Sequence, residues 1–390
     1  MCRPTRSSRL KGSQALASLA ALLIGASPGS AQTSVPPGPW SVSATSAFTA
    51  TLVPAASLRF RGEADSNSPA VWELVDGLNT LFVLTSINGS PSLSAGADMW
   101  WLSRPEPVVF VEHAPPGGTW MEAVVRADEG TWYGYYHNEV EDMVCPGSGK
   151  VIPRIGAARS TDMGRTWHDL GVILEAPPDT ERCDTTNKYF VGGVGDFSVQ
   201  LDQEHQYLYV FFTQYPDLRR TQGVAVARMV WADRDEPVGK VEVWRYGAWI
   251  PPSRNEVEDA VGAQGSGESW VYDAATPIYR TLGSWHDEEG RVSALWGPSV
   301  HWNRSLQQYV MLLNRARDME WSQEGIYVSF APTLDDPRAW SLPERILQGG
   351  LWYPQVMGLQ PGEGTDKLAD NVARFYMGGV SNYVIHFSKR

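Results

Sequence analysis

Three acidic residues stand at corresponding places in the sequence and are the first candidates for chemistry: Asp65, Glu122 and Asp196. Each lies at or near the start of a short β-prone segment, whereas the corresponding segments at residues 297–299 and 353–355 carry no acid. Carboxyl groups that lie close together can divide proton transfer between them, because like-charge repulsion keeps one protonated while another stays ionised. Whether these three meet depends on the elements that carry them.

Five apolar segments of seven residues recur along the chain and are rich in aromatic or branched side chains. Each is too short for a helix, so each is predicted to be a buried strand. The segments are residues 80–86 (TLFVLTS), 131–137 (TWYGYYH), 207–213 (YLYVFFT), 308–314 (QYVMLLN) and 373–379 (ARFYMGG). A recurring unit of this kind indicates an architecture built from copies of one motif.

Further strands are predicted around each segment in the same order. A shorter strand precedes it, at residues 68–72, 121–125, 196–200, 297–301 and 353–357. A third strand follows it, at residues 99–103, 155–160, 223–229, 325–329 and 383–388, and a fourth is predicted in four copies, as at 167–174 and 340–347. Four short antiparallel strands per copy are the pattern of a β-propeller blade.

The sequence therefore predicts an all-β fold, a single five-bladed β-propeller over residues 32–390. The blades are expected at about residues 65–112, 118–175, 194–250, 294–347 and 351–390. The fifth copy lacks a fourth strand, and the β-prone residues 40–60 are predicted to supply it as an outer strand that closes the ring. A set of unrelated β-sandwich strands is the alternative. In a propeller the first strand of each blade lines the channel, so the three acids are expected to face its mouth.

This arrangement resembles the five-bladed propeller glycosidases, the superfamily of arabinanases, β-xylosidases, invertases and levansucrases. The resemblance rests on the repeat over residues 65–388 and on one acid in each of the first three copies. It implies Asp65 as base or nucleophile, Asp196 as general acid and Glu122 as modulator of a neighbouring pKa, with exchange of the last two roles left open. The order Asp, Glu, Asp departs from the Asp, Asp, Glu of the arabinanase type.

A local motif at residues 160–167 (STDMGRTW) matches the Asp box that occurs in sialidases and many other propellers. Asp162 is expected to accept backbone N–H bonds across the turn, Gly164 to take a positive φ and Trp167 to pack beneath the hairpin. The motif is therefore predicted to be structural rather than catalytic.

Histidine and tryptophan residues near the predicted inner strands are candidates for substrate binding. His137 and Glu139 follow the second heptad, and His301 lies on the inner strand of the fourth copy. Most of the 17 tryptophans are expected to pack between blades. Those at the inner-strand edges are candidates for stacking on sugar rings: Trp72, Trp120 and Trp352.

The composition and the motifs limit the classes of partner and cofactor that the chain is expected to bind. The chain has 32 Lys and Arg against 44 Asp and Glu, a net charge of −12, which argues against nucleic acid. The histidines show no zinc-ligand spacing, and there is no P-loop or dinucleotide fingerprint. We expect a carbohydrate partner, a monomer, no catalytic metal and no cofactor, with a structural calcium ion left open.

The N-terminus has the features of a signal peptide. A basic stretch precedes the apolar residues 15–26, which are too few to span a membrane, and small residues lead to Ala31. Cleavage near Ala31 is expected to yield a secreted or periplasmic protein without a membrane segment. In such an oxidising compartment, Cys145 and Cys183 are predicted to form one disulfide.

Three functions are compatible with these features. The first is a glycoside hydrolase or transglycosylase that uses carboxylate acid–base catalysis on poly- or oligosaccharides. The second is a sialidase-like exo-glycosidase, suggested by the Asp box, and the third is a sugar-binding propeller without activity. Convergence of the three acids in one pocket would favour an enzyme.

Overall fold

The computed structural model describes residues 45–128, 130–255, 269–286 and 292–390. The predicted signal peptide and residues 40–44 of the predicted closing strand lie outside these ranges. Within them the chain is almost entirely β-strand, arranged as five sheets around a central channel, so the predicted five-bladed β-propeller is confirmed. In this described part of the chain, three short 3-10 helices interrupt the strands, at Arg219–Thr221, Trp231–Asp233 and Pro337–Ala339. No helix in the described ranges is long and apolar enough to cross a membrane.

The first three blades each begin with an inner strand and end at an outer one. Blade 1 consists of Ala70–Val75, Leu78–Ile87, Ser90–Gly96 and Glu106–Pro107. Blade 2 consists of Gly118–Asp128, Thr131–Glu141, Val151–Ser160 and Thr166–Leu174, with Val109–Val111 added in parallel at the edge. Blade 3 consists of Val194–Leu201, Tyr207–Gln214, Gly223–Val230, Glu242–Arg245 and Ala248–Ile250.

The last two blades follow the same plan. Blade 4 consists of Val292–Asn303, Gln308–Ala316, Gln323–Ala331 and Glu344–Gln348, with Leu282–Gly283 and Leu368–Ala369 each pairing with the first of these. Blade 5 consists of Pro354–Gly358, Val372–Met377, Val380–Lys389 and Phe48–Arg59. A separate two-stranded ribbon, Ser253–Asn255 with Ser269–Val271, leaves the ring after blade 3.

The ring is closed by the N-terminal strand, as predicted. Phe48–Arg59 runs antiparallel to Val380–Lys389, with Phe48 opposite Lys389 and Leu58 opposite Ser381. The two ends of the described chain thus share blade 5. This pairing covers the outer edge of that sheet, which would otherwise remain open.

An apolar core fills each interface between neighbouring blades. The interface of blades 1 and 2 holds Phe82 edge-on to Trp132, with ring centroids 5.4 Å apart. At the junction of blades 5 and 1, Phe60 stacks on Tyr376 at 4.2 Å. Six tryptophans are among the largest fully buried side chains: Trp132, Trp167, Trp285, Trp296, Trp321 and Trp340. Blade packing therefore accounts for much of the tryptophan content.

Two predicted strands were misplaced. The third strand of blade 1 is Ser90–Gly96, not residues 99–103, because the Asp98 side chain accepts the backbone N–H groups of Trp100 and Trp101 and holds that stretch as a turn. In blade 4 the outer strand begins at Glu344 rather than at residue 340, since Trp340 directly follows a 3-10 helix.

The turn after Ser160 has the geometry expected from the motif. Asp162 Oδ1 accepts the backbone N–H groups of Arg165 at 3.1 Å and Thr166 at 2.9 Å. Gly164 has φ 80°, and the indole of Trp167 is fully buried beneath the hairpin. This turn joins the two outermost long strands of blade 2, so it stabilises the blade and takes no part in the channel.

Candidate active site

The starts of the inner strands surround a cavity of about 330 Å³, here called the acidic cavity. Its polar lining consists of Asp65, Asn88, Glu122, His137, Glu139 and Asp196. Blades 1, 2 and 3 thus bring the three predicted acids to one place. None of the described residues that line it is a lysine or an arginine.

The inner strands of blades 2, 3 and 4 each carry a β-bulge on the side of the acidic cavity. The pairing of the blade 2 strand shifts at Glu122, which is the extra residue. The shift in blade 3 includes Asp196, and the one in blade 4 includes Gly297. A bulge re-aims side chains and is common beside active sites. These bulges are the local reason why two of the acids leave the blade interfaces and line the cavity.

One backbone position repeats a left-handed conformation in three blades. Gly297 has φ 54° there, as suits glycine, whereas Asp196 has φ 40° and Tyr353 has φ 57°. A side chain in this region costs on the order of 1–3 kcal/mol and persists only where the surroundings hold it. The strained residues bond each other, since the Tyr353 hydroxyl donates to Asp196 Oδ1 at 3.1 Å.

Asp65 precedes the inner strand of blade 1 and is half-buried at the edge of the cavity. The indole N–H of Trp120 donates to its Oδ1 at 2.6 Å, and the backbone N–H of Asn88 donates to its Oδ2 at 3.2 Å. Burial raises the pKa of Asp65 above its ordinary value, against these two hydrogen bonds, which favour the anion. Asp65 is therefore a partly exposed carboxylate whose orientation is fixed, as a base or nucleophile requires.

Glu122 is the most deeply buried of the three acids. Its Oε2 accepts the backbone N–H of Phe197 at 2.8 Å, and its Oε1 lies 3.7 Å from His137 Nδ1. Burial and the charge of Asp196 raise the pKa of Glu122 well above its ordinary value. Such a carboxyl keeps its proton to a higher pH than an ordinary glutamate does and can donate it.

His137 lies between the acids. Its Nε2 lies 2.9 Å from Glu139 Oε1, and its Nδ1 accepts the backbone N–H of Asp196 at 3.1 Å. That donor requires a lone pair on Nδ1, so the geometry corresponds to a neutral ring with its proton on Nε2. Burial lowers the pKa of His137, but the hydrogen bond to Glu139 and the nearby carboxylates raise it to about 9. The backbone donor and the acidic surroundings oppose each other at Nδ1, the nitrogen that faces Glu122.

Asp196 is buried, and each of its carboxylate oxygens accepts a hydrogen bond from a tyrosine hydroxyl. Tyr215 donates to Oδ2, and Tyr353 donates to Oδ1. Burial raises the pKa of Asp196, while His137 in its protonated form and the two hydroxyls oppose the rise because they favour the anion. Asp196 is thus better held as an ion than Glu122, and its charge helps to keep Glu122 protonated.

Removal of the Tyr353 hydroxyl tests this division. In Tyr353→Phe the pKa of Asp196 should rise, so the acid limb of the kcat/KM profile should move to higher pH. A hydrogen bond to a charged group contributes about 1.5–3 kcal/mol, so a loss of about tenfold or more in kcat/KM is expected. Tyr327→Phe removes a hydroxyl that donates to Glu324 outside the acidic cavity and serves as the control. An unshifted profile in Tyr353→Phe would contradict the role given to Asp196.

Aromatic rings form the rest of the wall: Trp120, Tyr189, Phe190, Trp296, Trp321, Trp352 and Tyr353. Many of them fix one another edge to face, as Trp296 does with Trp321 at 4.9 Å and with Trp352 at 5.4 Å. Flat apolar faces beside hydrogen-bonding groups suit the C–H and O–H surfaces of a sugar.

A disulfide joins Cys145 to Cys183, as predicted, and ties down the segment that carries Tyr189 and Phe190. This segment also pairs with blade 2, since Val151 donates to the Tyr189 carbonyl and accepts from Val191, both at 3.1 Å. The disulfide therefore lies close in the chain to two rings of the cavity wall.

Loss of the disulfide should weaken substrate binding more than chemistry. In a Cys145→Ser and Cys183→Ser double variant we expect KM to rise severalfold with kcat less affected, because Tyr189 and Phe190 gain freedom. Opening a loop of this length costs about 2–4 kcal/mol, so Tm should fall. Steady-state kinetics and thermal unfolding check this. A lower Tm with unchanged KM would show that the disulfide does not support the cavity.

Two candidate binding residues lie elsewhere. His301 was expected to face the substrate, but its ring is fully buried against Phe387, with 5.4 Å between ring centroids, and burial lowers its pKa to about 3. Trp72 lines a different cavity at the other end of the inner strands. The other four candidates, His137, Glu139, Trp120 and Trp352, line the acidic cavity.

Several residues around the acids were not among the candidates from the sequence, among them two tyrosines and a tryptophan. Tyr353 occupies the position of Asp196 in its own blade, and Tyr215 follows the third heptad by two residues. Trp321 lies in the loop between Gln308–Ala316 and Gln323–Ala331. Alignment of the copies marks the position of Tyr353, whereas the role of the loop residue depends on tertiary packing.

Glu122, His137 and Asp196 also have the donor types of a metal site, with one atom from each within 4.8 Å of the others. Most of the possible ligand atoms already accept a hydrogen bond: both Asp196 oxygens, Glu122 Oε2 and His137 Nδ1. The arrangement is therefore better suited to holding protons, and the absence of a metal stays a prediction.

No family model matches the chain, and no curated protein matches it in sequence. Among solved structures it is similar to an endo-arabinase from Bacteroides thetaiotaomicron, with 11% identity over 86% of this chain and 96% of the other and a TM-score of 0.45. It is also similar to an α-L-arabinofuranosidase from Podospora anserina, with 12% identity over 91% and 98% of the chains and a TM-score of 0.44.

Proposed function

We propose that this chain hydrolyses glycosidic bonds in neutral carbohydrates at the acidic cavity. The observation that carries the proposal is the convergence of Asp65, Glu122 and Asp196 in environments that separate their protonation states. Glycoside hydrolysis needs one protonated carboxyl at the leaving oxygen and one ionised carboxyl for water or the anomeric carbon.

The environments support one assignment of the roles. Glu122 is the proton donor, because burial and a neighbouring charge hold its proton. Asp65 is the base or nucleophile, because it is partly exposed and its hydrogen bonds favour the anion. Asp196 is the modulator, whose charge raises the pKa of Glu122. The resemblance implied the reverse assignment for these two acids and left their exchange open. His137 links Glu122 to Glu139 and helps to position the donor.

The lining also bears on the substrate class. Carboxylates without a lysine or arginine among the described lining residues repel anionic sugars. A sialidase-like reaction needs cations for the substrate carboxylate, so the cavity does not support that alternative. A neutral pentose or hexose chain, with aromatic rings on its apolar faces, fits the charge and the wall.

Secretion into the periplasm or the medium is part of the proposal. The disulfide supports an oxidising compartment. Extracellular polysaccharides are a matching source of substrate.

A substrate screen tests the proposal. The purified chain is assayed on aryl glycosides of neutral pentoses and hexoses, on neutral oligosaccharides and on a sialoside. We expect turnover of at least one neutral substrate and none of the sialoside. Binding of neutral sugars without turnover of any would instead identify a carbohydrate-binding propeller, and turnover of the sialoside would overturn the substrate class.

A further inference from the structure

A second cavity of about 410 Å³ lies at the opposite end of the inner strands. The inner strand of blade 2 contributes Trp120 and Glu122 to the acidic cavity, and residues 124–126 to this second cavity. Blades 1, 3, 4 and 5 contribute in the same way, so five strands or their adjoining loops reach both ends of the channel. The second cavity has no part in the proposed hydrolysis.

The channel is blocked between the two cavities. The buried Asn67 donates through Nδ2 to the carbonyls of Phe197 at 2.8 Å and Pro298 at 3.1 Å, which joins blade 1 to blades 3 and 4. Gln355 of blade 5 accepts the backbone N–H of Ser68 and donates to its carbonyl. These bonds cross the channel, so a ligand in one cavity does not extend into the other.

Two partly exposed tryptophans line the second cavity, Trp72 and Trp302. The Trp72 indole N–H donates to the Gly364 carbonyl at 2.8 Å, which fixes the orientation of the ring. The Trp302 ring packs on Tyr309, with 4.7 Å between ring centroids. Each ring is thus held in place by protein on one side while it borders open space on another.

A buried polar group in the same wall lacks a partner. Gln200 is 6% exposed, and its side-chain Nε2 donates only to the neighbouring Leu201 carbonyl at 3.2 Å. Its Oε1 accepts no hydrogen bond from any residue within the described ranges. An unmet buried acceptor costs about 1–3 kcal/mol, so a hydroxyl delivered to this wall would be stabilising.

The charged groups that line the second cavity already have hydrogen-bonding partners within the protein. Arg126 binds Glu73 at 2.8 Å, and Lys367 binds Asp366 at 2.9 Å. Of the two acids in the lining, Glu363 binds an arginine at 2.5 Å, and Asp202 accepts two backbone N–H groups, at 2.6 and 3.0 Å. The two basic and two acidic side chains of the lining balance in charge, so the cavity offers hydrogen bonds without a net attraction for anions or cations, which favours an uncharged polyhydroxylated ligand.

From these contacts we infer that the second cavity is a non-catalytic binding site for a neutral carbohydrate chain. Trp72 and Trp302 provide stacking faces, and Gln200 accepts a sugar hydroxyl. The inference shares only the ligand class with the proposed function. The second cavity would anchor the protein on a polysaccharide while the acidic cavity acts on chain ends or branches. Binding at one site would raise the effective concentration of the same polysaccharide at the other site.

The test measures retardation of the full chain in gels that contain soluble arabinan, xylan or galactan. An Asp65→Asn background prevents digestion, and Trp302→Ala and Gln200→Leu each remove one contact of the second cavity. We expect each to lower the affinity for the retarding polysaccharide about fivefold or more. Trp101→Ala is the matched control, since Trp101 is 74% exposed and lines neither cavity.

Retardation equal to that of the background in both variants would overturn the inference, as would retardation that disappears only in Trp352→Ala, a variant of the acidic cavity. Thermal unfolding identifies any variant that fails to fold, and Gln200→Leu, which keeps the side-chain volume, then decides. If the wild type turns over no glycoside but Trp302→Ala still loses retardation, the proposed function fails while the second site stands.

Discussion

Replacement of Glu122 by glutamine is expected to lower kcat/KM by about 10²–10⁴-fold on a glycoside whose leaving group is another sugar, the usual contribution of a positioned proton donor. The amide keeps the shape of the side chain, and its oxygen can still accept the Phe197 N–H. It has no acidic proton to give to the leaving oxygen. A dinitrophenyl glycoside needs little protonation, so its turnover should fall much less.

The dependence on the leaving group separates proton donation from a general disturbance. Glu141→Gln is the matched control, because Glu141 lies on the same strand as His137, is exposed and is outside the lining of the acidic cavity. Equal losses on both substrates in Glu122→Gln would contradict the assignment of Glu122 as proton donor.

The same variant should also stabilise the fold at neutral and alkaline pH. The pKa of Glu122 is raised in the folded protein, so above the ordinary pKa of a glutamate, about 4.3, the folded state binds more protons than the unfolded state. Stability contributed by the wild-type residue is therefore lost as pH rises towards the folded pKa. Glu122→Gln should raise Tm at pH 8 and leave it nearly unchanged at pH 4, which excludes misfolding as the cause of lost activity.

Asp65→Asn is expected to lower kcat/KM by about 10²–10⁴-fold on every substrate, whatever the leaving group. An amide can neither activate water nor attack the anomeric carbon. The carbonyl oxygen of the amide can still accept the shorter hydrogen bond, from Trp120, so that side of the wall should stay in place, whereas the longer bond from the Asn88 N–H is lost because the amide NH2 is itself a donor. Kinetics on the dinitrophenyl and the disaccharide substrate measure the effect.

Asp76→Asn is the control for this variant. Asp76 lies in the exposed turn after the inner strand of the same blade, with φ 51°, a conformation that asparagine also tolerates. Its kinetics should equal those of the wild type. If Asp65→Asn loses activity only on the substrate with the poor leaving group, Asp65 is the proton donor and the two roles have to be exchanged.

The repeat made most of the fold predictable. The aromatic and branched heptads form the second strand of every blade, and the missing fourth strand of the last copy indicated that the N-terminal segment closes the ring. The exact third strand of blade 1 was not predictable from composition. Four of the five residues at 99–103 are apolar, but the Asp98 side chain holds the start of this stretch as a turn.

The residues of the site were predictable where their distance from the start of an inner strand decides which end of the channel they line. The acids at the strand starts meet in one cavity, but Trp72 lies four residues beyond the start of its predicted strand. At about 3.3 Å per residue this is about 13 Å along the channel, which explains why it lines the other cavity.

The β-bulges determine which way some side chains of the inner strands point, and the position of a residue along its strand does not predict this. A bulge shifts the alternation of a strand by one residue, so the facing of every later side chain is reversed relative to a regular strand. His301 follows such a bulge and points between blades 4 and 5, whereas Glu122 is itself the extra residue and lines the cavity. The hydroxyl donors to Asp196 come from two separate blades, which no single segment of sequence reveals.

The most direct measurement is the release of sugar from a neutral oligosaccharide by the wild-type chain and by an Asp65→Asn, Glu122→Gln double variant, prepared side by side. The proposed function predicts turnover by the wild type and none above background for the double variant, with both proteins folded and both still binding the sugar. Turnover by the double variant at the wild-type rate would contradict the assignment of the acidic cavity as the active site.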